Sequence, residues 1–327
     1  MKAVVCEKYG PPEVLKIREV PKPIVKDNEV LVKVFATTAN AADARIRGAV
    51  FPSIFNLPVK LAMGFKGPRK KILGLEVAGV VESIGKNVTK YHVGDQVFAS
   101  TGSGFRGYAE YVCLPEKSVM TIKPSNMTFE EAAAVPHCAL AAYYYLRKGK
   151  VGEGQKVMIY GASGGIGTFA VQIAKAFGAE VTGVCSTANV ELVKLLGADK
   201  VIDYTKGKIT QVDEPFDVIF DTIGKASISD SVELLKEKGM YLSAVHLELS
   251  RIFEGIRISV KSSKKVIGGV ASYTTENLIF LKNLIEEGKM KTAIDKTFTL
   301  EQMAEAHAYV DTGHKKGHVV ITVNQEN

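Results

Sequence analysis

Apolar and polar positions change rhythm partway along this chain. Short apolar runs at 3–6, 29–37, 77–84, 96–99 and 108–114 alternate with Gly, Pro and Asn turns, which predicts a β-rich, irregular, barrel-like domain. Residues 49–69 carry Phe, Pro and Gly without a clear period, the mark of a long loop or a pair of short helices lining a site. After Pro124 the pattern becomes helical. Thr128 with Glu131 reads as a capped helix start, and a helical stretch follows at 140–148. Strands at 156–160, 180–184, 200–202, 216–221 and 239–244 then alternate with helices at 165–177, 190–196 and 227–235. Strands separated by helices make βαβ units and a parallel sheet. The tail holds helices at 275–288 and 300–312 and a last strand at 318–323.

Composition narrows the class. A chain of 327 residues with 46% hydrophobic and 24% charged residues is an ordinary globular protein, comfortable as two domains. No apolar run approaches the ~18–20 residues that span a bilayer, so no membrane segment is expected. Met1 runs straight into a strand without a signal-peptide layout, which makes the cytoplasm the expected location. Cys6, Cys113, Cys138 and Cys185 are scattered with no CxxC pair, against a structural zinc site and against a disulfide framework. The net charge of +7 attracts anions, but its dense clusters, KGPRKK at 66–71 and KSSKK at 261–265, lack interleaved aromatics. Nucleic acid is therefore not the expected partner. His137, His246 and His307 are isolated and read as packed or surface residues.

The strongest chemical signal is KVMIYGASGGIGTFAVQIAKAFG at 156–178. An apolar strand enters a glycine-rich turn that opens a helix. Glycines let backbone N–H groups approach a pyrophosphate, and the helix N-terminus offers it partial positive charge. Ala162 stands where the first glycine of G-x-G-x-x-G would be, with Gly164 and Gly167 in the other two places. The flanking strand, helix and second strand supply the context that a lone motif lacks. That second strand runs into Cys185-Ser186-Thr187-Ala188-Asn189, with no Asp or Glu at its end to hold the ribose hydroxyls of NAD. NADP(H) is therefore expected over NAD(H), with Lys175, Tyr204 and the segment around Lys315 and Lys316 as aids. The expected cofactor residues are Ala162, Ser163, Gly164, Gly165, Ile166, Gly167, Ser186, Asn189, Tyr204, Ile223, Ser243 and Lys315.

Taken with these motifs, MKAVV at 1–5, NAADARIRG at 40–48, LGLEVAGVVESIGKNV at 73–88, VGDQVFA at 93–99, LLGADKVIDY at 195–204 and GHKKGHVVI at 313–321 resemble the medium-chain dehydrogenase/reductase superfamily. The resemblance is to its zinc-free NADPH:quinone oxidoreductase branch, the zeta-crystallin-like one. It implies an α/β fold: a Rossmann-type doubly wound parallel sheet domain at 125–265, and a β-rich GroES-like catalytic domain at 1–124 to which 266–327 returns. Where zinc enzymes of the superfamily carry Gly-His-Glu, this chain has Gly74-Leu75-Glu76, and their cysteine ligand falls near Asn40, so no metal is expected.

Without a Lewis acid, the expected acceptor is one already activated, a quinone or an α,β-unsaturated carbonyl. The resemblance puts Asn40 near the nicotinamide as a positioning hydrogen-bonder, with Asp43 close behind; these two are the expected catalytic pair. Asp43 and Arg47 are spaced to pair on one helical turn. The chain departs from the family at Ala139-Leu140-Ala141-Ala142, where a hydroxyl is lost, and at Ala188, where a Lys or Arg is absent. A homodimer is the expected assembly. The competing readings are a zinc-free alcohol or aldehyde dehydrogenase of the same superfamily and a cofactor-binding protein recruited to RNA or regulation.

Overall fold

The computed structural model describes residues 1–51, 53–207, 214–245 and 249–323, apart from the side chains of 53–57. His246 lies outside them. The chain forms two compact units: Met1–His137, Thr274–Glu286 and Thr292–Asn327 make unit 1, and Cys138–Tyr273 with Glu287–Lys291 make unit 2.

Unit 1 opens with β1 (Lys2–Cys6), paired antiparallel with β2 (Leu15–Glu19). Next come β3 (Glu29–Ala39), α1 (Ala41–Arg47) and α2 (Ser53–Met63), so much of the aperiodic stretch at 49–69 is one helix, with Pro58 inside it. β4 (Glu76–Ile84), β5 (Gln96–Ser100), β6 (Tyr111–Pro115), β7 (Met120–Ile122) and α3 (Phe129–Ala133) follow. Thr128 and Glu131 close the expected capping box on α3, an arrangement worth ~1 kcal/mol. Phe129 of α3 stacks on Phe35 of β3 with ring centroids 4.7 Å apart, which ties this segment to unit 1. The change of unit consequently falls at 137/138 rather than at Pro124, inside α4 (Val135–Lys148).

Unit 2 is the alternating half. β8 (Lys156–Tyr160), α5 (Gly165–Ala176), β9 (Glu180–Cys185), α6 (Val190–Leu195), β10 (Lys200–Asp203) and β11 (Phe216–Asp221) match the expected elements closely. α7 (Ile228–Glu233), β12 (Leu235–Ser243), α8 (Leu249–Lys261) and β13 (Lys265–Ile267) complete it. The six strands are parallel in the order β10-β9-β8-β11-β12-β13, the doubly wound arrangement. Met158, Val184, Ile219 and Tyr241 fill one side of the sheet under Ile228. α8 turns Gly255 toward Val266 of β13 and leaves Phe253, Ile256 and Val260 exposed.

The chain then returns to unit 1 through α9 (Thr275–Glu286), β14 (Ile294–Thr299), α10 (Met303–Asp311) and β15 (His318–Thr322). β3 organises this unit. Its first half pairs with β6, its last residues with β15, and β4 runs along its other edge. Val30, Val32, Val34, Val77, Val97 and Val112 form the core between these strands. A second core gathers Val4, Ala44, Leu73, Tyr108, Met303 and Ala306 around α1 and α10.

Candidate functional site

In unit 2 the expected cofactor residues from five strands gather at the carboxyl ends of those strands, where open α/β sheets bind ligands. Gly161 leaves β8 with φ +80°, and a Cβ there would meet Ile223 and Thr222 at 2.7 and 2.8 Å. Ala162 is fully buried, its N–H donated to Val184 of β9 at 3.0 Å. Gly164 caps α5 in extended conformation, and a Cβ on Gly167 would stand 2.0 Å from the Gly161 carbonyl oxygen. Only glycine lets the helix start this close to the strand. The first turn of α5 then presents the N–H groups of Gly165, Ile166 and Gly167, which lack acceptors within the helix. That cradle fits a dinucleotide pyrophosphate.

Asn189 knits the turn to the end of β9. Its Nδ2 donates to Ser163 Oγ at 3.0 Å and to Ser186 Oγ at 3.2 Å, while its buried Oδ1 has no partner among the described residues. Tyr204 is half exposed just past β10 and donates its N–H to Cys185. Ile223 is held by Asp221, whose Oδ1 accepts from the N–H groups of Ile223 and Gly224 at 3.0 and 2.8 Å. Ser243 ends β12 in register with Asp221. Lys175 does not join this group. It lies about 15 Å along α5 from Gly165, bound to Asp199 and the Ala179 carbonyl.

Unit 1 carries the other expected residues. Asn40 Oδ1 accepts from the N–H groups of Ala42 and Asp43 at 2.9 Å each, capping α1 and fixing the amide. Its buried Nδ2 closes no hydrogen bond of ordinary geometry, although it leans toward Glu76. Glu76 is fully buried. Thr38 Oγ1 donates to its Oε1, and the His137 N–H donates to its Oε2 at 2.8 Å. Lys315 bonds the Gly317 carbonyl and lies near enough to Glu76 to favour its charge. Burial still outweighs these partners and pushes the Glu76 carboxyl up to about 7.

Asp43 does not pair with Arg47, as the spacing suggested. Arg47 reaches away to Asp311 of α10 at 2.6 Å and to the Gly10 carbonyl at 3.2 Å. Asp43 instead accepts from the Gly74 N–H at 3.3 Å and lies against the Tyr108 hydroxyl, which bonds His307 Nε2 at 3.0 Å. Burial lifts the Asp43 carboxyl to about 8 and lowers His307 to about 3, so both are neutral near pH 7. His307 is thus a core residue. The sequence gives no sign of this group, because Asp43, Tyr108 and His307 come from distant segments.

The sign of the pH dependence follows. Asp43 and Glu76 bind their protons more tightly folded than unfolded, so their contribution is full below pH ~4 and is lost as pH rises through 7 and 8. His307, depressed, adds no slope above its ordinary value. Each carboxyl is expected to cost up to about 1.4 kcal/mol of stability per pH unit from about pH 4 until its folded value is passed, about 7 for Glu76 and about 8 for Asp43, and to add no slope beyond it. Urea melts of the Asp43→Asn variant should show a shallower fall than the native chain; parallel curves would contradict this account.

Strand, glycine turn and helix at the carboxyl edge of a doubly wound sheet, joined to a β-rich unit, define a dinucleotide-dependent dehydrogenase or reductase. Two family models match: the alcohol dehydrogenase GroES-like domain over residues 26–124 and zinc-binding dehydrogenase over 196–321. The mouse (Mus musculus) mitochondrial NAD(P)H oxidoreductase RTN4IP1 is 33% identical over 99% of this chain and 89% of its own. The tomato (Solanum lycopersicum) 2-methylene-furan-3-one reductase is 33% identical over 98% of this chain and 79% of its own. The solved quinone oxidoreductase from Coxiella burnetii superposes with a TM-score of 0.88 at 29% identity, covering 99% of each chain. The chain belongs to the medium-chain dehydrogenase/reductase superfamily, in its quinone-oxidoreductase branch, and is an oxidoreductase.

One matching model is named for zinc, and the residues at hand do not fit that ion. Leu75 offers no donor atom, Asn40 Oδ1 is engaged by two helix N–H groups, and both Glu76 oxygens have donors. Among the described residues no three His, Cys, Asp or Glu side chains converge to hold a metal. Among the same residues no helix is long and apolar enough to cross a membrane.

Proposed function

We propose that this protein is a zinc-independent reductase that moves hydride from NADPH to a quinone or an α,β-unsaturated carbonyl. The cradle of Gly164 to Gly167 carries the reading, because its N–H groups at a helix start, reached directly from a strand of a doubly wound sheet, suit the pyrophosphate of a dinucleotide. Bound there, the dinucleotide supplies the hydride. The chain's own residues bind, orient and exclude water. Asn40, its amide fixed by the α1 cap, is the donor assigned to the acceptor oxygen. Asp43 is fully buried, and its part is to hold the Gly74 backbone, and with it Leu75, in place. The apolar Leu75 where a metal ligand would stand favours acceptors that need no Lewis acid, in line with the quinone and methylene-ketone names of its relatives.

Strand β9 ends without a carboxylate of its own, which supports NADPH over NADH. The apolar stripe Phe253, Ile256 and Val260 on α8 supports a homodimer, whose mass light scattering reads directly. Among the described residues no two cysteines form a disulfide, which suits a cytoplasmic, reducing setting. The test is loss of reduced-nicotinamide absorbance with a panel of small quinones and enones. Turnover with at least one is expected, with kcat/KM higher for NADPH than for NADH. Silence with every acceptor would end this reading.

A further inference from the structure

The absence of an acid at the end of β9 is only half of the charge pattern there. β10 lies beside β9 in parallel register, with Asp203 opposite Cys185. Adjacent strands are ~4.8 Å apart, so the carboxylate that ends β10 stands beside the strand end at which a dinucleotide's adenosine ribose is read. Its side chain is held. Thr187 Oγ1 donates to Oδ2 at 2.5 Å, and Oδ1 accepts from the Thr205 N–H at 3.0 Å and the Thr205 hydroxyl at 2.7 Å. The Thr187 and Thr205 hydroxyls also touch, at 2.7 Å. These donors hold the Asp203 carboxyl below the usual carboxylate range, so it is charged at neutral pH. The one cation seen against it among the described residues is Lys206, 3.9 Å away and largely exposed.

This arrangement reverses part of what the sequence suggested. The Thr187 hydroxyl, two residues past the end of β9, is given to Asp203 and not left for a 2′-phosphate. A 2′-phosphate at this strand end meets a fixed negative charge and a loop in which the Thr187 hydroxyl is already donated. A 2′-hydroxyl meets neither cost.

Resting on the nicotinamide-reductase reading above, we propose that Asp203 is a specificity-determining residue that holds the discrimination between NADPH and NADH small, by repelling the 2′-phosphate and by withholding Thr187 and Lys206 from it. Removing its charge frees both groups for phosphate and leaves the pyrophosphate cradle untouched.

Fluorescence titration of the full chain with NADPH and with NADH, needing no acceptor, tests this. Asp203→Asn is expected to raise the affinity ratio for NADPH over NADH by about tenfold at low salt, through tighter NADPH binding with NADH little changed. The gain should shrink as salt rises, because the repulsion is screened within ~10 Å at 0.1 M. Asp203→Glu, which keeps the charge, should keep the native ratio. An unchanged ratio in Asp203→Asn, or a gain that salt does not diminish, overturns the proposal. If the asparagine variant does not fold, Asp203→Ser carries the same test. Native protein that binds neither dinucleotide would instead overturn the reductase reading, so the two failures are distinct.

Discussion

Gly167→Ala is expected to weaken dinucleotide binding by about 10- to 100-fold and to lower stability by about 1–3 kcal/mol. The added methyl would stand 2.0 Å from the Gly161 carbonyl oxygen and 2.8 Å from Ala162 Cα. Both are backbone atoms, so no side chain can swing aside. The α5 N-terminus must move away from β8, and the N–H groups of Gly165 to Gly167 lose their aim. Gly164→Ala is the control for stability alone, since its methyl would meet only the Gly161 carbonyl oxygen, at 3.4 Å, and it should melt close to the native chain. Isothermal titration of Gly167→Ala with NADPH reads the binding: a native affinity would show that the turn tolerates what its geometry forbids.

The second large effect is expected at Asp221, the fully buried last residue of β11. Its carboxylate accepts from the N–H groups of Ile223, Gly224 and Ala226 at 3.0, 2.8 and 3.2 Å and from the Tyr241 hydroxyl at 2.9 Å. Alanine there strands these donors in the interior. A cost of about 3–5 kcal/mol is expected, read as a fall in the denaturation midpoint with an unchanged slope. Tyr241→Phe removes one donor and should cost only about 1 kcal/mol. The loop that Asp221 ties down carries Ile223 against Gly161, so the alanine variant should also bind dinucleotide less tightly. Equal costs for the two variants would show that the backbone donors contribute nothing.

The periodic parts of this fold were legible because local pattern decides them. The alternation from 156 to 221 sets strand, turn and helix within a residue or two, and the glycine turn announces its ligand. Residues 249–267 were missed. Leu249, Phe253, Ile256 and Val260 do recur at helical spacing, but that face is turned to solvent, and β13 is only three residues long. Pro124 looked like a domain break because the polar-apolar rhythm changes there, whereas Phe129 packs back onto β3. Sites made by long-range contact were illegible in principle. Arg47 has a suitable acid four residues before it, yet it pairs with Asp311, 264 residues away. Asp203 is 18 residues from Cys185 in the chain and adjacent to it in the sheet.

The two-sided pairing of β3 bears on how the protein is made. Its last residues pair with β15, Ala39 lying opposite Val319, so that ladder cannot exist until synthesis has passed β15. Unit 2 is almost contiguous, and all six of its strands lie between Lys156 and Ile267. On the ribosome its sheet can close while the far end of β3 still lacks its neighbour. For that interval Ala36 to Ala39 expose an unpaired strand edge, which is where a nascent chain of this design is most open to wrong pairing and most in need of a chaperone.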